Sequence, residues 1–406
     1  MKRYNKNFVY TPQFIKGCIF DCLETRWRRM DVSYFFAEYI IKYLDDKNVK
    51  CKVSMHTLAH NINKTLSYKR TSMYKIIDYI ADDIYFEITN RNISLKPIHY
   101  QEREDSSSHK MRIIGLASIK QQVYDYIAVN SCKEIFMAKI GYYQCASLKY
   151  KGQLFGKQTI ERWIRTNPKN CKYVFKCDIK KCYPSISHEK LKKLLSRDLK
   201  NDTSVYILST LIGTYEEGLC IGSYLSQYLA NYYLSYAYHY ISEQMYRVRR
   251  KRSGESKRVN LVSHVLFYMD DFIMFSSRKA DLKKASKMLI KYIDEELGLK
   301  LKDGYQLFPL DSRGIDMMGY VIFTTHTTIR QRIFIKARKL FIKYKDERVP
   351  MSLKDARSIT SYYGYIKHSD STKFIKKYKV SRTVKRAKEV ISYAEKCNIY
   401  RKTTTV

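Results

Sequence analysis

Two adjacent carboxylates, Asp270 and Asp271, interrupt the stretch 266–275, whose other members are all apolar or aromatic. Two apolar runs that flank a short polar pair predict a β-hairpin with the acids at its turn. Adjacent carboxylates beside buried strands repel each other and lose hydration, and a divalent cation offsets that cost. The pair therefore indicates a hard-cation site, although an Asp-Asp dipeptide is also typical of an ordinary solvated turn.

A third carboxylate, Asp178, ends the short β-branched and aromatic segment 173–178 upstream of this pair. A strand-end carboxylate that faces carboxylates on a hairpin turn is the arrangement that two-metal phosphoryl transfer requires of its oxygen ligands. The third acid therefore favours the cation site over the solvated turn. Cys177 and Cys182 flank Asp178, but thiolates suit softer metals, so we interpret both cysteines as packing residues.

These residues resemble the palm motifs of a reverse transcriptase. Tyr-Met-Asp-Asp at 268–271 resembles the palm hairpin of that family, and Asp178 with Tyr183 five residues on resembles its first palm motif. The resemblance runs from about residue 106 to 323. It implies an α+β fold of the right-hand polymerase type, with fingers, an antiparallel palm sheet and a thumb. It also implies RNA-directed DNA polymerase activity, which is a nucleotidyl transfer.

A predicted aromatic helix from Tyr228 to Tyr246 is preceded by Ile221-Gly222 and Ser226-Gln227. Most members of the family carry Gln-Gly and Ser-Pro at these places. The variant resembles prokaryotic reverse transcriptases, namely those of diversity-generating retroelements and the unknown-group, defence-associated enzymes, including Abi-like ones. The resemblance implies that Ile221, Gly222 and Gln227 border the templating base and the incoming nucleotide.

The resemblance also implies roles for further residues. Two Mg²⁺ ions, with Mn²⁺ as an alternative, would be held by Asp178, Asp270 and Asp271 and by the backbone carbonyl near Ile179. Tyr183 would exclude a 2′-hydroxyl and so select deoxyribonucleotides. The remaining expectations are phosphate binding by Lys110 and Arg112, a primer grip at Met318, Gly319 and Tyr320, and proton donation to pyrophosphate by Lys302.

Three segments are expected along the chain: a helical N-terminal extension at 1–105, fingers and palm at 106–323, and a basic helical thumb at 324–406. The formal net charge of +37 favours a long polyanion as partner. From residue 324 onward, 22 Lys and Arg stand against 6 Asp and Glu. The polar run 102–108 predicts a loop, and the basic run 247–258 predicts either a solvated loop or a contact with RNA phosphates.

The expected partners are a structured non-coding RNA template, a DNA primer and product, and deoxynucleoside triphosphates, with a homo-oligomer or an accessory protein left open. The preferred function is copying of a cognate RNA in antiphage defence. Three alternatives remain: a diversity-generating enzyme, template-independent or protein-primed synthesis, and a retired polymerase that serves as an RNA-binding scaffold, which the intact acids disfavour. The opening residues lack a signal-peptide pattern and no apolar run spans a bilayer, which predicts a cytoplasmic protein without a membrane partner. The resemblance to prokaryotic enzymes implies that it is bacterial or phage-encoded.

Overall fold

The computed structural model of the chain describes the backbone of residues 4–66, 69–104 and 111–403, and side chains as far as residue 396. Lys110 lies outside these residues. The helices are α1 (Pro12–Leu23), α2 (Met30–Asp45), α3 (Met55–Leu66), α4 (Tyr74–Thr89), α5 (Ile119–Ser131), α6 (Lys133–Lys139), α7 (Gln153–Thr166), α8 (Cys182–Ser185), α9 (His188–Asp198), α10 (Asp202–Gly213), α11 (Tyr224–His239), α12 (Lys279–Glu295), α13 (Gln331–Lys343), α14 (Leu353–Lys367), α15 (Thr372–Lys377) and α16 (Val380–Thr403). The strands are β1 (His99–Glu104), β2 (Met111–Leu116), β3 (Gln144–Cys145), β4 (Tyr173–Asp178), β5 (Tyr246–Arg250), β6 (Ser256–Asn260), β7 (His264–Tyr268), β8 (Asp271–Ser276), β9 (Gln306–Pro309), β10 (Ile315–Met317), β11 (Tyr320–Ile322) and β12 (Thr327–Ile329).

Two compact units are built from interleaved stretches of the chain. The first unit contains Met1–Tyr142, Ile179–Ala237 and Tyr292–Lys300, and the second contains Tyr143–Asp178, Tyr238–Lys291 and Leu301–Val406. Neither unit ends at residue 105 or at residue 323. The N-terminal segment is helical as predicted, and it shares a unit with the helices that follow it.

In the first unit, the N-terminal helices α1 and α4 pack against each other, and α1 also packs against α5. Ile15 and Ile19 lie four positions apart on α1 and are fully buried, as expected for the apolar face of an amphipathic helix. Glu87 on α4 accepts hydrogen bonds from Lys120 Nζ at 2.5 Å and from the Tyr124 hydroxyl at 2.6 Å, both on α5. The N-terminal helices therefore contribute to the core of this unit.

The second unit contains the palm sheet that the sequence predicts. Its strand order is β3-β7-β8-β4-β9, and all neighbours pair antiparallel except β3 and β7, which are parallel. Trp163 and Ile160 on α7 belong to the same buried cluster as Leu266, Ile273 and Phe275 from the sheet. The predicted α+β class and the antiparallel palm sheet are confirmed.

The chain after the palm sheet forms a smaller sheet and a group of helices, also in the second unit. Strands β10, β11 and β12 pair antiparallel, and the turn Met318-Gly319 joins β10 to β11 with φ values of 55° and 83°. Such φ values match tight hairpin turns and favour glycine. The basic helices share an apolar core that includes Phe341, Ile359 and Val380, so the helical character expected of the last segment is present.

Two segments that read as loops in the sequence are strands. Glu102–Glu104 belongs to β1, which pairs with β2, and the basic run 247–258 lies within the hairpin of β5 and β6. Each two-stranded ribbon satisfies backbone groups by pairing while most of its side chains stay exposed, so no alternating apolar pattern marks it. The rest of the first predicted loop, 105–108, lies outside the described residues.

The long aromatic helix is shorter than predicted. It begins at Tyr224, gives way to a π-helical turn over Tyr240–Gln244, and Tyr246 already belongs to β5. Within the part of the chain that the structure describes, no helix is both long enough and apolar enough to cross a bilayer.

Asp125 on α5 is a fully buried carboxylate in the first unit. Its Oδ2 accepts hydrogen bonds from Ser223 Oγ at 2.8 Å and from the Leu225 amide at 3.5 Å, and burial raises the pKa of the carboxyl to about 7. An unfolded chain loses this proton at about pH 4. The folded protein therefore binds more protons than the unfolded chain between about pH 4 and about pH 7, and its stability should fall as the pH rises through that window.

We expect the melting temperature of the ligand-free protein to fall between about pH 5 and about pH 7, because the cost is roughly 1.4 kcal/mol for each unit of raised pKa. Asp125→Asn carries no titratable proton and should make the pH profile shallower. The exposed Asp82→Asn is the matched control and should keep the wild-type slope. An Asp125→Asn profile as steep as that of the wild type would contradict the assignment.

Candidate active site

The acid-bearing hairpin consists of β7 and β8, joined by the two-residue turn Met269-Asp270. Tyr268 and Asp271 are the last register pair before the turn. Met269 adopts a φ of 55°, in the left-handed region that costs a non-glycine residue about 1–3 kcal/mol. The predicted hairpin is present, with Asp270 in its turn and Asp271 as the first residue of β8.

Asp178, the last residue of β4, lies directly opposite Asp271 in the antiparallel register. Side chains of directly opposed residues project from the same face of a sheet, with Cβ atoms about 4.5–5.5 Å apart. The structure therefore brings the strand-end acid and the hairpin acids together at one end of the palm sheet, as the sequence predicts. Two carboxylates at this spacing repel each other unless positive charge lies nearby.

Two lysines supply that positive charge. Lys302 Nζ lies 2.6 Å from Asp178 Oδ2, and the Lys302 amide donates to the carbonyl of Asp178 at 2.8 Å. Lys176 Nζ lies 3.7 Å from Asp271 Oδ1. Sequence reasoning missed Lys176, although it precedes Asp178 by two residues on β4, and alternate residues of a strand share a face.

The charges in this cluster set the pKa values of its members. Burial raises the pKa of the Asp271 carboxyl to about 7; the positive charge of Lys176 opposes the rise, and the negative charge of Asp178 adds to it. Burial is also the largest single influence on Asp178 and acts in the same direction. The hydrogen bonds with Lys302 and Asp271 and the positive charges of Lys302 and Lys176 together outweigh it, so the pKa of Asp178 lies below its ordinary value. Burial tends to lower the pKa of Lys302, and the contact with Asp178 raises it overall.

The donor atoms of this cluster suit a hard divalent cation. Oδ1 of Asp271 is buried and accepts no hydrogen bond from the described residues; a buried acceptor without a hydrogen-bond donor costs about 1–3 kcal/mol. Carboxylate oxygens are the ligands that Mg²⁺ prefers. Over residues 4–66, 69–104 and 111–396, however, no group of three Asp, Glu, His or Cys side chains is already arranged to hold a metal ion. In the structure, the positive charge next to Asp178 comes from the ammonium of Lys302, whose side chain is 41% exposed.

The described residues that are expected to contact the nucleotide lie in the first unit. Gly222 has a φ of 113°, and a Cβ there would approach the Gly115 carbonyl oxygen to 2.8 Å. The Gly115 amide donates to the Ile221 carbonyl at 2.9 Å. The segment at 221–222 therefore lies against β2, the strand that carries the exposed Arg112, and the close approach that requires glycine is made by the backbone of β2. Tyr183 is half-buried on α8.

Other residues predicted to contact the metal ions, the nucleotide or the primer have buried or half-buried side chains. Ile179, whose backbone carbonyl is the expected metal ligand, has a fully buried side chain in the first unit, and Gln227 is half-buried on α11. Met318 and Tyr320 are both buried, and a Cβ on Gly319 would lie 2.5 Å from a ring carbon of Tyr365. The side chains of the expected primer grip therefore pack in the protein interior, and only the backbone of this turn is suited to meet a primer.

Residues 101–322 match the family described as reverse transcriptase (RNA-dependent DNA polymerase). No curated protein matches the sequence. Among solved structures, the chain is similar to telomerase from Candida tropicalis in complex with the TWJ fragment of telomeric RNA, with 10% identity, a TM-score of 0.42, and coverage of 87% of this chain and 65% of that chain. Apo telomerase from Candida tropicalis is 12% identical with a TM-score of 0.42, and the match covers 96% of this chain and 83% of that chain. Telomerase from Candida albicans with the TWJ fragment is 11% identical with a TM-score of 0.39, and the match covers 83% of this chain and 72% of that chain. The chain spans less than two thirds of the first of these telomerase chains.

The family match covers more than half of the 406 residues. It includes every strand of the palm sheet and the cluster of Asp178, Asp270 and Asp271. The chain therefore belongs to the reverse transcriptase family of RNA-dependent DNA polymerases.

Proposed function

We propose that the chain is an RNA-directed DNA polymerase that extends a DNA primer with deoxynucleoside triphosphates on a cognate, structured non-coding RNA. The observation that carries this proposal is the pairing of Asp178 with Asp271 across β4 and β8, beside Asp270 in the turn. A rigid sheet fixes these acids at one end, where they offer the negative charge that nucleotidyl transfer with divalent cations needs.

Asp178, Asp270 and Asp271, with the backbone carbonyl of Ile179, would hold two Mg²⁺ ions, or Mn²⁺ in their place. When bound, the ions lower the pKa of the primer hydroxyl and stabilise charge at the phosphorus. Lys302 keeps Asp178 ionised in the ligand-free protein, and its raised pKa keeps it protonated. From the family resemblance, Lys302 is also the proposed proton donor to the leaving pyrophosphate.

The nucleotide-binding roles of the first unit are carried over from the family resemblance. Cations on β2 and just before it would bind the β- and γ-phosphates, and the segment against β2 would border the base pair. The residues proposed for these contacts are Lys110, Arg112, Tyr183, Ile221, Gly222 and Gln227, and the backbone of the turn at Met318, Gly319 and Tyr320 is proposed to meet the primer.

Tyr183 is the proposed barrier to ribonucleotides. We expect Tyr183→Ala to raise the use of ribonucleotides relative to deoxyribonucleotides by about tenfold or more, because removal of one steric contact changes discrimination on this scale. Steady-state incorporation of each nucleotide type gives the ratio. Tyr150→Ala, at a position 84% exposed, is the control and should leave the ratio unchanged. If Tyr183→Ala also leaves it unchanged, another residue sets sugar choice.

Primer extension by the purified full chain tests the proposed activity. The substrate is a labelled DNA primer annealed to an RNA template of mixed sequence, with the four deoxynucleoside triphosphates and Mg²⁺. We expect a product that sequencing shows to be complementary to the template, and no product when a chelator removes the cation. A product of unrelated sequence would favour template-independent or protein-primed synthesis. Tight RNA binding without any product would favour a scaffold.

Antiphage defence in the bacterial cytoplasm is the proposed biological role, and it rests on the variant residues at 221–227. Sequencing of the nucleic acid that copurifies with the protein should identify one non-coding RNA and its DNA copy. Phage plating on cells that express the wild-type chain or its Asp178→Asn form should show protection by the wild type alone. DNA copies that map instead to a variable repeat of a protein-coding gene would favour the diversity-generating alternative.

A further inference from the structure

The hairpin of β5 and β6, residues 246–260, is here called the basic hairpin. It carries seven Lys and Arg residues and a single acid, Glu255. Glu255 pairs with Lys251 at 2.6 Å across the turn, and Gly254 in that turn has a φ of 84°. The only acid of the basic hairpin therefore pairs with a lysine at the turn, and it does not neutralise the Lys and Arg side chains of the two strands.

The base of the basic hairpin is anchored. Arg247 Nε lies 3.3 Å from Asp281 Oδ1 on α12, and the Leu261 amide donates to the Met245 carbonyl at 2.9 Å just below the two strands. The guanidinium of Arg258 lies 4.5 Å from the centre of the Tyr246 ring. The basic hairpin is thus held in a defined register of five residue pairs. In a solvated loop, by contrast, the cationic side chains could move apart.

The outer cations of the basic hairpin lack acidic partners. Arg249, Arg250, Arg252 and Lys257 are all exposed, and in the part of the chain that the structure describes none of the four forms an ion pair. Arg249 lies directly opposite Lys257 in the register, and like charges in that position destabilise a strand pair. A polyanion that bound here would remove this repulsion.

The basic hairpin is attached to the palm sheet at the end of β7 away from the turn Met269-Asp270. Residue 260 ends β6, and β7 begins four residues later at His264, whereas Tyr268 at the other end of β7 pairs with Asp271 beside the turn. Four residue steps along a strand span about 14 Å. The base of the basic hairpin is therefore separated from the acid-bearing turn by the length of β7.

We propose that the basic hairpin binds the phosphate backbone of double-stranded RNA, so that one structured segment of the template RNA is held there while another segment is copied. The identity of the RNA as template rests on the proposed function; the binding surface does not. A duplex fits better than a single strand, because single-strand sites stack bases on exposed aromatic rings. The one aromatic ring of the basic hairpin, that of Tyr246, is already covered by Arg258.

The test compares two triple variants of the full chain. One is Arg249→Gln/Arg250→Gln/Lys257→Gln in the basic hairpin; the other, matched in charge, is Lys283→Gln/Lys284→Gln/Lys287→Gln on the exposed side of α12 in the same unit. The probe is a blunt RNA duplex of about 20 base pairs with blocked 3′ ends, longer than the roughly 16 base pairs that a small double-stranded-RNA-binding domain covers. Fluorescence anisotropy over a salt series gives the Kd and its salt dependence.

We expect the hairpin triple variant to bind about tenfold or more weakly at low salt. Its logarithmic salt slope should fall by about 2 to 3, because each lost phosphate contact in a duplex removes about 0.9. The α12 triple variant should retain most of the wild-type affinity and slope. Arg249→Lys/Arg250→Lys keeps the charge and should keep the slope, which separates loss of charge from damage to the hairpin.

The proposal would be overturned if both triple variants bound the RNA duplex equally weakly, or if the hairpin triple variant bound it as tightly as the wild type. A larger loss for a single-stranded RNA probe than for the duplex would overturn it too. Extension of a short primer–template at saturating concentration should be the same for the hairpin triple variant and the wild type. If the wild type itself extends no primer, the proposed function fails, while the comparison of duplex binding still decides the role of the basic hairpin.

Discussion

Asp178→Asn should reduce nucleotide incorporation by roughly 10³-fold or more, since even a single electrostatic contact to the reacting groups is worth about 10²–10³ in rate. The substitution keeps the shape of the side chain and removes the charge that lies opposite Asp271 on the neighbouring strand. It also removes the anionic partner of Lys302. Single-nucleotide incorporation on a short RNA template, measured at saturating primer–template, gives the loss in rate.

The fold should survive this substitution. The ion pair of Asp178 and Lys302 is partly exposed, at 36% and 41% for the two side chains, and such pairs contribute about 1 kcal/mol or less to stability. Asp311→Asn, at an exposed position in the same unit, is the matched control and should incorporate nucleotides at the wild-type rate. An Asp178→Asn protein that melts normally, binds RNA and extends primers at near wild-type rate would rule out the acid cluster as the catalytic centre.

Asp270→Asn should give a loss of similar size, because Asp270 lies in the turn beside the same pair of acids. Residues that act as one unit have non-additive effects on catalysis. The double variant Asp178→Asn/Asp270→Asn should therefore be little worse than either single variant. A double variant whose fold-loss in rate equals the two single fold-losses multiplied together would instead mean that the two acids act independently.

The sequence was sufficient to predict the parts of the site that are encoded locally. The hairpin at 264–276 is recognisable because two apolar strands flank a polar pair, and Asp178 is recognisable because it ends a β-branched and aromatic run. The pairing of β4 with β8 then places Asp178 against Asp271. Lys176 was within reach of the same reasoning, since strand alternation places residues 176 and 178 on one face.

Features that depend on tertiary contact or on exposure could not be predicted in this way. Lys302 meets Asp178 across 124 positions of sequence, and no local pattern marks that contact. The strands at 102–104 and 246–260 have mostly exposed side chains, so burial imposes no period of two on their residue types. The requirement for glycine at 222 comes from the backbone of Gly115, a neighbour that is more than one hundred residues away in sequence.

The acid-bearing turn between β7 and β8 also depends on the apolar residues next to it, and Phe267 is one of them. Phe267 is fully buried, and its ring stacks on that of its register partner Phe272 with centroids 4.9 Å apart. Tyr238 contacts the same ring edge-on at 6.2 Å, and the Phe267 amide donates to the Tyr143 carbonyl at 3.0 Å. Through its ring and its backbone amide, this one residue therefore connects both strands of the acid-bearing hairpin with their surroundings.

Phe267→Ala should lower the free energy of unfolding by about 3–5 kcal/mol, because it removes a fully buried ring and leaves a cavity that a paired sheet cannot close. Denaturant unfolding followed by tryptophan fluorescence suits this measurement, since Trp163 lies in the core of the same unit. Phe86→Ala, at a position 66% exposed, is the control and should change stability by about 0.5 kcal/mol or less. Phe267→Leu fills most of the cavity and should recover part of the loss. Because the hairpin positions Asp270 and Asp271, Phe267→Ala should also lose incorporation activity at temperatures where it is still folded. If Phe267→Ala and the wild type had the same activity at the same folded fraction, the turn would hold its shape without this ring.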